Sequence, residues 1–210
     1  MRIAIIGTGN VGSAIAQALA GKGHSVTLGA RDPATAEVQR LVTIVSANAA
    51  LPADAAAAAD IVILALPWAI AEAAVRALGD LSGKIVIDCM NPIGRTAEGP
   101  GLMLGHTTSG GETVAGWLPG AHVVKTLNQV GAEVMAQNTS LPHRPVMFMA
   151  GDDAGAKSQV AQLLTDMGFE ALDAGDITKA RLLEPFGMVW INQALMRGKD
   201  RNWAFAAVSA

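Results

Sequence analysis

A short glycine-rich turn near the N-terminus constrains the fold of this chain more than any other feature. Gly7, Gly9 and Gly12 follow a β-branched run, Arg2–Ile6, and precede an alanine-rich stretch, Asn10–Lys22, that is typical of a helix. A tight turn favours glycine at its first position, and a helix that packs closely on a strand favours another glycine further along. Between a strand and a helix, this spacing predicts a βαβ unit whose helix N-terminus binds the pyrophosphate of a dinucleotide through its backbone N–H groups.

The rest of the chain repeats the alternation of short β-branched runs with alanine-rich stretches, which is typical of an α/β protein with a mostly parallel sheet. The predicted strands are Arg2–Ile6, Ser25–Gly29, Ile61–Leu66, Lys84–Asp88, His122–Thr126, Pro145–Ala150 and Glu170–Leu172. Predicted helices cover Asn10–Lys22, a segment that begins at Asp32-Pro33, Pro52–Ala59, Ala69–Leu78, a segment that Ser109 caps, Ala154–Met167 and a segment from Asp176 to about Arg197. We therefore expect residues 1–210 to form one doubly wound Rossmann domain, in which residues 176–210 are a C-terminal helical extension for dimerisation or substrate binding.

Charge, apolar runs and cysteine content limit the kinds of partner and site that this chain can have. The formal net charge is −3 and no basic cluster occurs, which disfavours nucleic acid and anionic membranes. No apolar run reaches the roughly 18 residues of a membrane-spanning helix. The only cysteine, Cys89, cannot form an internal disulfide or a multi-cysteine zinc site, and we expect it to be a buried apolar residue. The sequence thus predicts a cytoplasmic protein without a metal site that acts on a small-molecule redox substrate.

The end of the second strand bears on which dinucleotide binds. NAD-selective folds place an acid there for the ribose hydroxyls, whereas this chain has Ala30 followed by Arg31. A guanidinium in that position can pair with a 2′-phosphate, so NADP is favoured over NAD. Asp32 leaves the alternative open, because it would be the ribose ligand if the strand ended two residues later, although Asp-Pro also fits a helix start.

The chain lacks the acid–base groups of several reductase classes. It contains no tyrosine and one cysteine, which excludes a Tyr/Lys proton donor and a zinc alcohol dehydrogenase site. Its histidines show no paired spacing with acids, and we retain only His106, in the long Asn91–Thr108 loop, as a site candidate. Hydride transfer between nicotinamide and a flavin-like ring needs positioning far more than proton donation. The sequence identifies no catalytic residue.

At this point the chain resembles a known family, the coenzyme F420-dependent NADP oxidoreductases, over nearly its whole length. The matching pieces are Gly7–Gly12, Gly29-Ala30-Arg31, Leu66-Pro67-Trp68, Asp88 to Pro92, Lys125–Asn128 with Gly131-Ala132, and Asp173-Ala174-Gly175. The resemblance implies a Rossmann fold and hydride exchange between NADP and an 8-hydroxy-5-deazaflavin.

The resemblance also implies a set of cofactor-binding residues. Thr8, Gly9, Asn10 and Val11 would hold the pyrophosphate, and Arg31, next to Ala30, the 2′-phosphate. The ribose and nicotinamide end would be lined by Pro67, Trp68, Asn91, Pro92, Ile93 and Ala132. Lys125 is either a structural charge at the end of a strand or a catalytic group.

Three functions stay open from the sequence. The first is an NADPH-dependent reductase of a deazaflavin, a flavin or a quinone-like acceptor. The second is a reductase of a small carbonyl or imine, which would need a proton donor, and the third is a non-catalytic NADP-binding redox sensor. The segment Leu182–Met196 is apolar around more than one face, and because one sheet can cover only one of them we expect a homodimer.

Overall fold

The structure, a computed structural model, describes residues 1–97 and 99–208. Its strands are β1 (Arg2–Ile6), β2 (Ser25–Gly29), β3 (Asn48–Ala50), β4 (Ile61–Leu64), β5 (Ile85–Asp88), β6 (Ile93–Thr96), β7 (Gly99–Leu102), β8 (His122–Lys125), β9 (Val146–Gly151) and β10 (Glu170–Gly175). Its α-helices are α1 (Asn10–Leu19), α2 (Ala36–Val45), α3 (Pro52–Ala58), α4 (Trp68–Arg76), α5 (Gly110–Trp117), α6 (Ala132–Ala136), α7 (Ala154–Asp166) and α8 (Ala180–Ile191).

Eight of these strands form one sheet in the order β10-β9-β8-β5-β4-β1-β2-β3. All neighbouring pairs are parallel except β8 and β9, which run antiparallel. The strand order reverses between β1 and β4, and doubly wound sheets bind ligands at the carboxyl ends of strands beside such a reversal. The predicted α/β Rossmann fold, with its mostly parallel sheet and C-terminal helix, is confirmed.

Both faces of the sheet are covered by helices, so its central strands are buried on both sides, whereas the edge strands β3 and β10 are partly exposed. Along β1, Ile3 and Ile5 belong to one hydrophobic cluster, whereas Ala4 and Ile6 belong to the other. Continuous apolar runs, rather than alternating ones, are the expected sequence of such strands. The core therefore explains why the strand positions could be predicted from β-branched runs.

Two predicted boundaries near the carboxyl edge of the sheet are wrong. Helix α2 begins at Ala36 rather than at Asp32-Pro33, because the Thr35 hydroxyl accepts the hydrogen bond from the Val38 N–H and caps it. Asp32 instead accepts the Ala34 N–H within its own turn. Strand β4 ends at Leu64, two residues before the predicted end at Leu66, because α4 begins at Trp68 directly after Pro67.

The predicted long loop over Asn91–Thr108 contains a hairpin. Strands β6 and β7 pair antiparallel, with Gly94 opposite Gly101, and Gly99 adopts φ +117° at the turn. A glycine-rich hairpin carries no alternating apolar pattern, so periodicity alone could not reveal it. Glu98 lies outside the described residues.

The C-terminal part folds back on the sheet. Helix α8 ends at Ile191, before the predicted limit near Arg197, and continues as a π-helical turn over Asn192–Met196. The tail then returns to the start of β9, where the Phe205 carbonyl accepts the Val146 N–H. Within residues 1–97 and 99–208, helices long and apolar enough to cross a membrane do not occur.

Candidate functional site

The glycine turn after β1 has the geometry of a cradle. Gly7 adopts φ +109°, and a Cβ there would lie 2.3 Å from the Ala65 carbonyl oxygen. A Cβ on Gly12 would lie 1.9 Å from the Gly7 oxygen, so both glycines are required by close packing of the backbone. A Cβ on Gly9 would meet nothing within 4 Å. Packing therefore fixes the outer glycines and leaves open space beside the middle one.

Helix α1 presents its N-terminus to that space. Gly9 is its N-cap, and no side chain among the described residues caps the first turn. The Thr8 carbonyl accepts the Ser13 hydroxyl at 3.0 Å, which fixes the turn, while Asn10 is exposed and Val11 half-buried. Free N–H groups and the positive end of the helix dipole suit a phosphate, so these residues fit the pyrophosphate of a dinucleotide.

The end of β2 lies beside this turn, since the Gly29 carbonyl accepts the Gly7 N–H. Ala30 is buried, and its N–H donates to the Ala50 carbonyl, so only its backbone borders the edge of the sheet. Arg31 is exposed and makes no ion pair within the described part of the chain. Its guanidinium is therefore available to an anion near the adenosine end.

Pro67 and Trp68 mark the next strand end, at the start of α4. Pro67 is an exposed N-cap, and the Trp68 ring stacks on Trp117 with the ring centroids 5.4 Å apart. Both rings line an open groove of about 730 Å³ between α4 and α5. Trp68 is thus held by a packing partner while remaining partly accessible.

Two asparagines join the carboxyl ends of β5 and β8. The Asn91 amide donates to the Asn128 carbonyl at 2.9 Å, and the Asn128 amide donates to the Asn91 side-chain oxygen at 2.9 Å. Gln129 donates to the Asn128 side-chain oxygen at 3.0 Å. The paired asparagines form a polar bridge in which each segment fixes the other.

The remaining predicted lining residues surround this bridge. Pro92 is buried, whereas Ile93 and Ala132 are half-buried. Ile93 borders an open groove of about 460 Å³ along the hairpin, whose other lining residues are Gly94, Arg95, Gly99 and Pro100. Ala132 begins α6, which packs on α1. These residues lie along the carboxyl edge of the sheet, from the glycine turn to the hairpin. We call the space that they border the candidate cleft.

A buried ion cluster lies beneath the bridge. The Lys125 ammonium is 3.0 Å from the Asp88 carboxylate and 3.0 Å from the Glu184 carboxylate, and it also donates to the Met90 carbonyl. All three side chains are at most 1% exposed. Burial alone would lower the pKa of Lys125, but the two carboxylates outweigh it and the pKa is raised. The ammonium is therefore buried and paired with all three of these oxygen partners.

Cys89, between Asp88 and the bridge, is buried as predicted. Burial, followed by the charge of Asp88, raises the pKa of its thiol. A buried thiol with a raised pKa holds its proton and is a poor nucleophile. Cys89 therefore packs as a small apolar residue.

The histidines lie away from the cleft or carry no partner. His24 is 3.0 Å from Asp166 and His122 is 3.7 Å from Asp153, pairings that sequence spacing did not reveal. His24 precedes β2 and His122 is the first residue of β8, so both pairs lie at the amino edge of the sheet, opposite its carboxyl edge. His106 is exposed at φ 61° and makes no hydrogen bond to the residues described.

Sequence reasoning missed Glu184 as a member of the site. Asp88 and Lys125 are charged residues at the ends of two predicted strands, and they lie opposite each other in the register of β5 and β8. That coincidence was a usable signal for an ion pair. Glu184 comes from a helix far along the chain, and no local pattern connects it to them.

Comparisons with known proteins agree with one another. The family model described as "NADP oxidoreductase coenzyme F420-dependent" matches residues 2–92. A solved structure of a candidate F420-dependent NADP reductase from Arthrobacter sp. FB24 is 38% identical, with a TM-score of 0.90 and 100% of both chains covered.

Two curated proteins are more distant in sequence. The F420-dependent NADP reductase of Methanothermobacter thermautotrophicus is 28% identical over 216 residues, covering 96% of this chain and 92% of its own. The rat metalloreductase STEAP3 is 28% identical over 185 residues, which are 87% of this chain but 36% of that protein. This chain therefore spans little more than a third of the metalloreductase.

Proposed function

The chain belongs to the family of coenzyme F420-dependent NADP oxidoreductases and is an NADP-dependent oxidoreductase, and from that premise we propose that its acceptor is a deazaflavin. The main support for this proposal is the similarity, over the full length of both chains, to the structure of a candidate F420-dependent NADP reductase. Relatives of nearly equal length with F420 in their names support a deazaflavin over a flavin or a quinone.

NADP would be held along the carboxyl edge of the sheet. The open space at Gly9 and the uncapped N-terminus of α1 fit the pyrophosphate. Arg31, without an ion pair among the described residues, fits the 2′-phosphate. Asn91 and Asn128, with Pro92, Ile93 and Ala132 around them, would border the nicotinamide, and Pro67 and Trp68 the adjoining ribose.

The acceptor would lie at the hairpin end of that edge. NADPH supplies a hydride, which is two electrons and one proton, to an acceptor ring when it is bound. The chain's residues orient the two rings and exclude water, and such positioning contributes roughly 7–11 kcal/mol to lowering a barrier. The open groove beside Ile93, which Gly94, Arg95, Gly99 and Pro100 also line, supports a planar ring in this place.

The enclosed Lys125 also bears on the reaction. A carbonyl or imine reductase needs a proton donor in contact with substrate, and the ammonium of Lys125 is fully occupied by Asp88, Glu184 and the Met90 carbonyl. This arrangement supports hydride transfer between rings, which depends on positioning far more than on a proton donor in the protein.

The test is turnover of NADPH with a set of acceptors. We expect oxidation of NADPH with 8-hydroxy-5-deazaflavin and much slower oxidation with FMN, menadione or a cyclic imine, monitored by absorbance under anaerobic conditions. Preferred turnover of the imine would replace the proposal by the carbonyl or imine reductase. Binding of NADPH without turnover of any acceptor would favour the redox sensor.

We also propose that the protein is a homodimer. One side of α8 and the turn after it exposes apolar residues, namely Leu182, Val189, Leu195 and Met196. A stripe of this kind is buried against another surface in most proteins. Light scattering at micromolar concentration should give twice the chain mass, and Leu182→Glu with Val189→Glu should give monomers. A monomeric wild type would remove the idea.

A further inference from the structure

We propose that one face of α8 positions the nicotinamide end of the cleft and that Gly187 is its positioning residue. The inference rests on the proposed cofactor site and extends it to residues that do not border the cofactor. Glu184, Gly187 and Trp190 are spaced three residues apart, so they lie along one side of the helix. Each contacts a different segment of the cleft edge.

Glu184 anchors this face. Its two carboxylate oxygens accept the N–H groups of Gly110 and Gly111, each at 2.9 Å, at the N-terminus of α5. The same carboxylate pairs with Lys125 at 3.0 Å. A Cβ on Gly111 would lie 2.9 Å from the Ala180 side chain, so glycine allows α5 and α8 to approach. Charge-assisted hydrogen bonds of this kind, fully buried, fix the position of the helix.

Gly187 meets the asparagine bridge. A Cβ on this residue would lie 2.6 Å from the Asn128 carbonyl oxygen and 3.4 Å from the Asn91 amide nitrogen. The Asn128 amide also donates to the Leu183 carbonyl of α8 at 3.1 Å. Glycine inside a helix costs about 1 kcal/mol relative to alanine, so its presence here serves the close approach.

Trp190 completes the face. Its ring would be 2.5 Å from a Cβ on Gly131, the N-cap of the helix that begins at Ala132. Its indole N–H donates to the Trp203 carbonyl at 2.9 Å, which ties the ring to the returning tail. A bulky residue at Gly131 would therefore meet Trp190 first, and not a ligand in the cleft.

These contacts determine which segment is displaced when a side chain larger than that of glycine is placed between α8 and the Asn128 segment. Glu184 is held by Lys125 and by two backbone N–H groups one turn before Gly187. The helix cannot retreat without separating that buried charge from its partners, which is costly. A methyl group at position 187 must instead displace the Asn128 segment, and with it the bridge to Asn91.

The test compares whole NADPH with a fragment that lacks nicotinamide, 2′-phospho-ADP-ribose. Gly187→Ala should weaken NADPH about tenfold, a difference of about 1.4 kcal/mol, and leave the fragment's affinity unchanged. The fluorescence of bound NADPH should shift towards that of free NADPH. Gly116→Ala in α5 is the matched control, because a Cβ there meets nothing within 4 Å, and it should match the wild type.

Wild-type affinities for both ligands in Gly187→Ala would overturn the inference. If that variant does not fold, Trp190→Phe decides, since it shortens the ring that contacts Gly131 and removes the indole N–H bond to the Trp203 carbonyl, without changing a residue that borders the cofactor. The same selective loss for NADPH supports the inference, and equal losses for both ligands overturn it. Neither readout involves an acceptor, so failure of wild-type turnover with 8-hydroxy-5-deazaflavin would count against the proposed function alone.

Discussion

The two ends of the candidate cleft are built in different ways. The phosphate end is one continuous segment, Gly7–Gly12, whose groups are backbone N–H donors and whose shape is fixed by glycine contacts with neighbouring backbone. The nicotinamide end is assembled from strand ends, a hairpin and α8, and it is held by buried side chains. Backbone alone suffices for a phosphate, whereas orienting a ring needs several segments fixed against one another.

The two ends also differ in the free-energy cost of the charges that they bury. A backbone cradle buries little charge, while the other end encloses one ammonium and two carboxylates. Such a cluster is tolerated only while every member is paired, because an unpaired buried charge is strongly destabilising. We therefore expect a substitution at Gly9, where the phosphate end is open, to affect affinity alone, and substitutions in the ion cluster to affect folding.

The largest effect should follow from removing the buried cation. Lys125→Met would leave Asp88 and Glu184 facing each other without a positive charge. We expect a loss of about 3–5 kcal/mol in the free energy of unfolding, measured with urea. Arg76→Met is the control, because it breaks an exposed pair with Glu72 of a type usually worth less than about 1 kcal/mol. Equal losses of unfolding free energy in Lys125→Met and Arg76→Met would contradict the view that the nicotinamide end depends on a buried charge cluster.

A smaller effect, confined to binding, should follow at the phosphate end. Gly9→Ala adds a methyl group to open space at an ordinary φ of −74°, so the unfolding midpoint without ligand should not change. The methyl group would occupy the phosphate position, and NADP affinity should fall by roughly 1.5–3 kcal/mol, the value of a hydrogen bond to a charged group. Gly12→Ala should instead fail to fold normally. Calorimetric titration and thermal melting separate the two outcomes.

Arg31→Ala tests how the adenosine end distinguishes the two nicotinamide cofactors. It should weaken NADP by roughly 1.5–3 kcal/mol and leave NAD nearly unchanged, because only the 2′-phosphate contacts the guanidinium. Asp32→Ala is the matched variant next to it. A selective loss of NAD in Asp32→Ala, with Arg31→Ala neutral, would assign the strand end to ribose recognition instead.

The smallest effect should come from the ion pair at the border of α5 and α8. The hydrogen bond from Arg181 lowers the pKa of Glu112 below its ordinary value of 4.5, against the opposing effect of burial. The pair therefore stabilises the fold above pH 4.5 and loses its contribution as the pH falls through the lowered pKa. Glu112→Gln should melt slightly below the wild type at pH 7, and the difference should vanish in acid. A difference that grew in acid would contradict the assignment.

Local signals explain which parts were predictable from the sequence. The glycine turn, the apolar strands and the Ser109 cap depend on neighbouring residues, and each was predicted, although the end of β4 was placed two residues too late. The start of α2 was wrong because Thr35 outcompeted Asp32 as the cap. Contacts such as Glu184 with Lys125, and Gly187 with Asn128, depend on how distant elements pack, and a single sequence carries no periodic trace of them. The predicted cofactor contacts, including Trp68 and Ala132, stay predictions.

The position of Glu184 in the chain bears on how the protein is made. During synthesis the strands that carry Asp88 and Lys125 leave the ribosome well before α8 does, and nascent chains begin to fold from the N-terminus. At that time every residue that packs on the glycine turn has been synthesised. Lys125, in contrast, can pair with Asp88 but not yet with Glu184. We expect a ribosome-bound chain that stops before α8 to retain a partly formed sheet with an open cleft, which would make it a client for chaperones until Glu184 arrives.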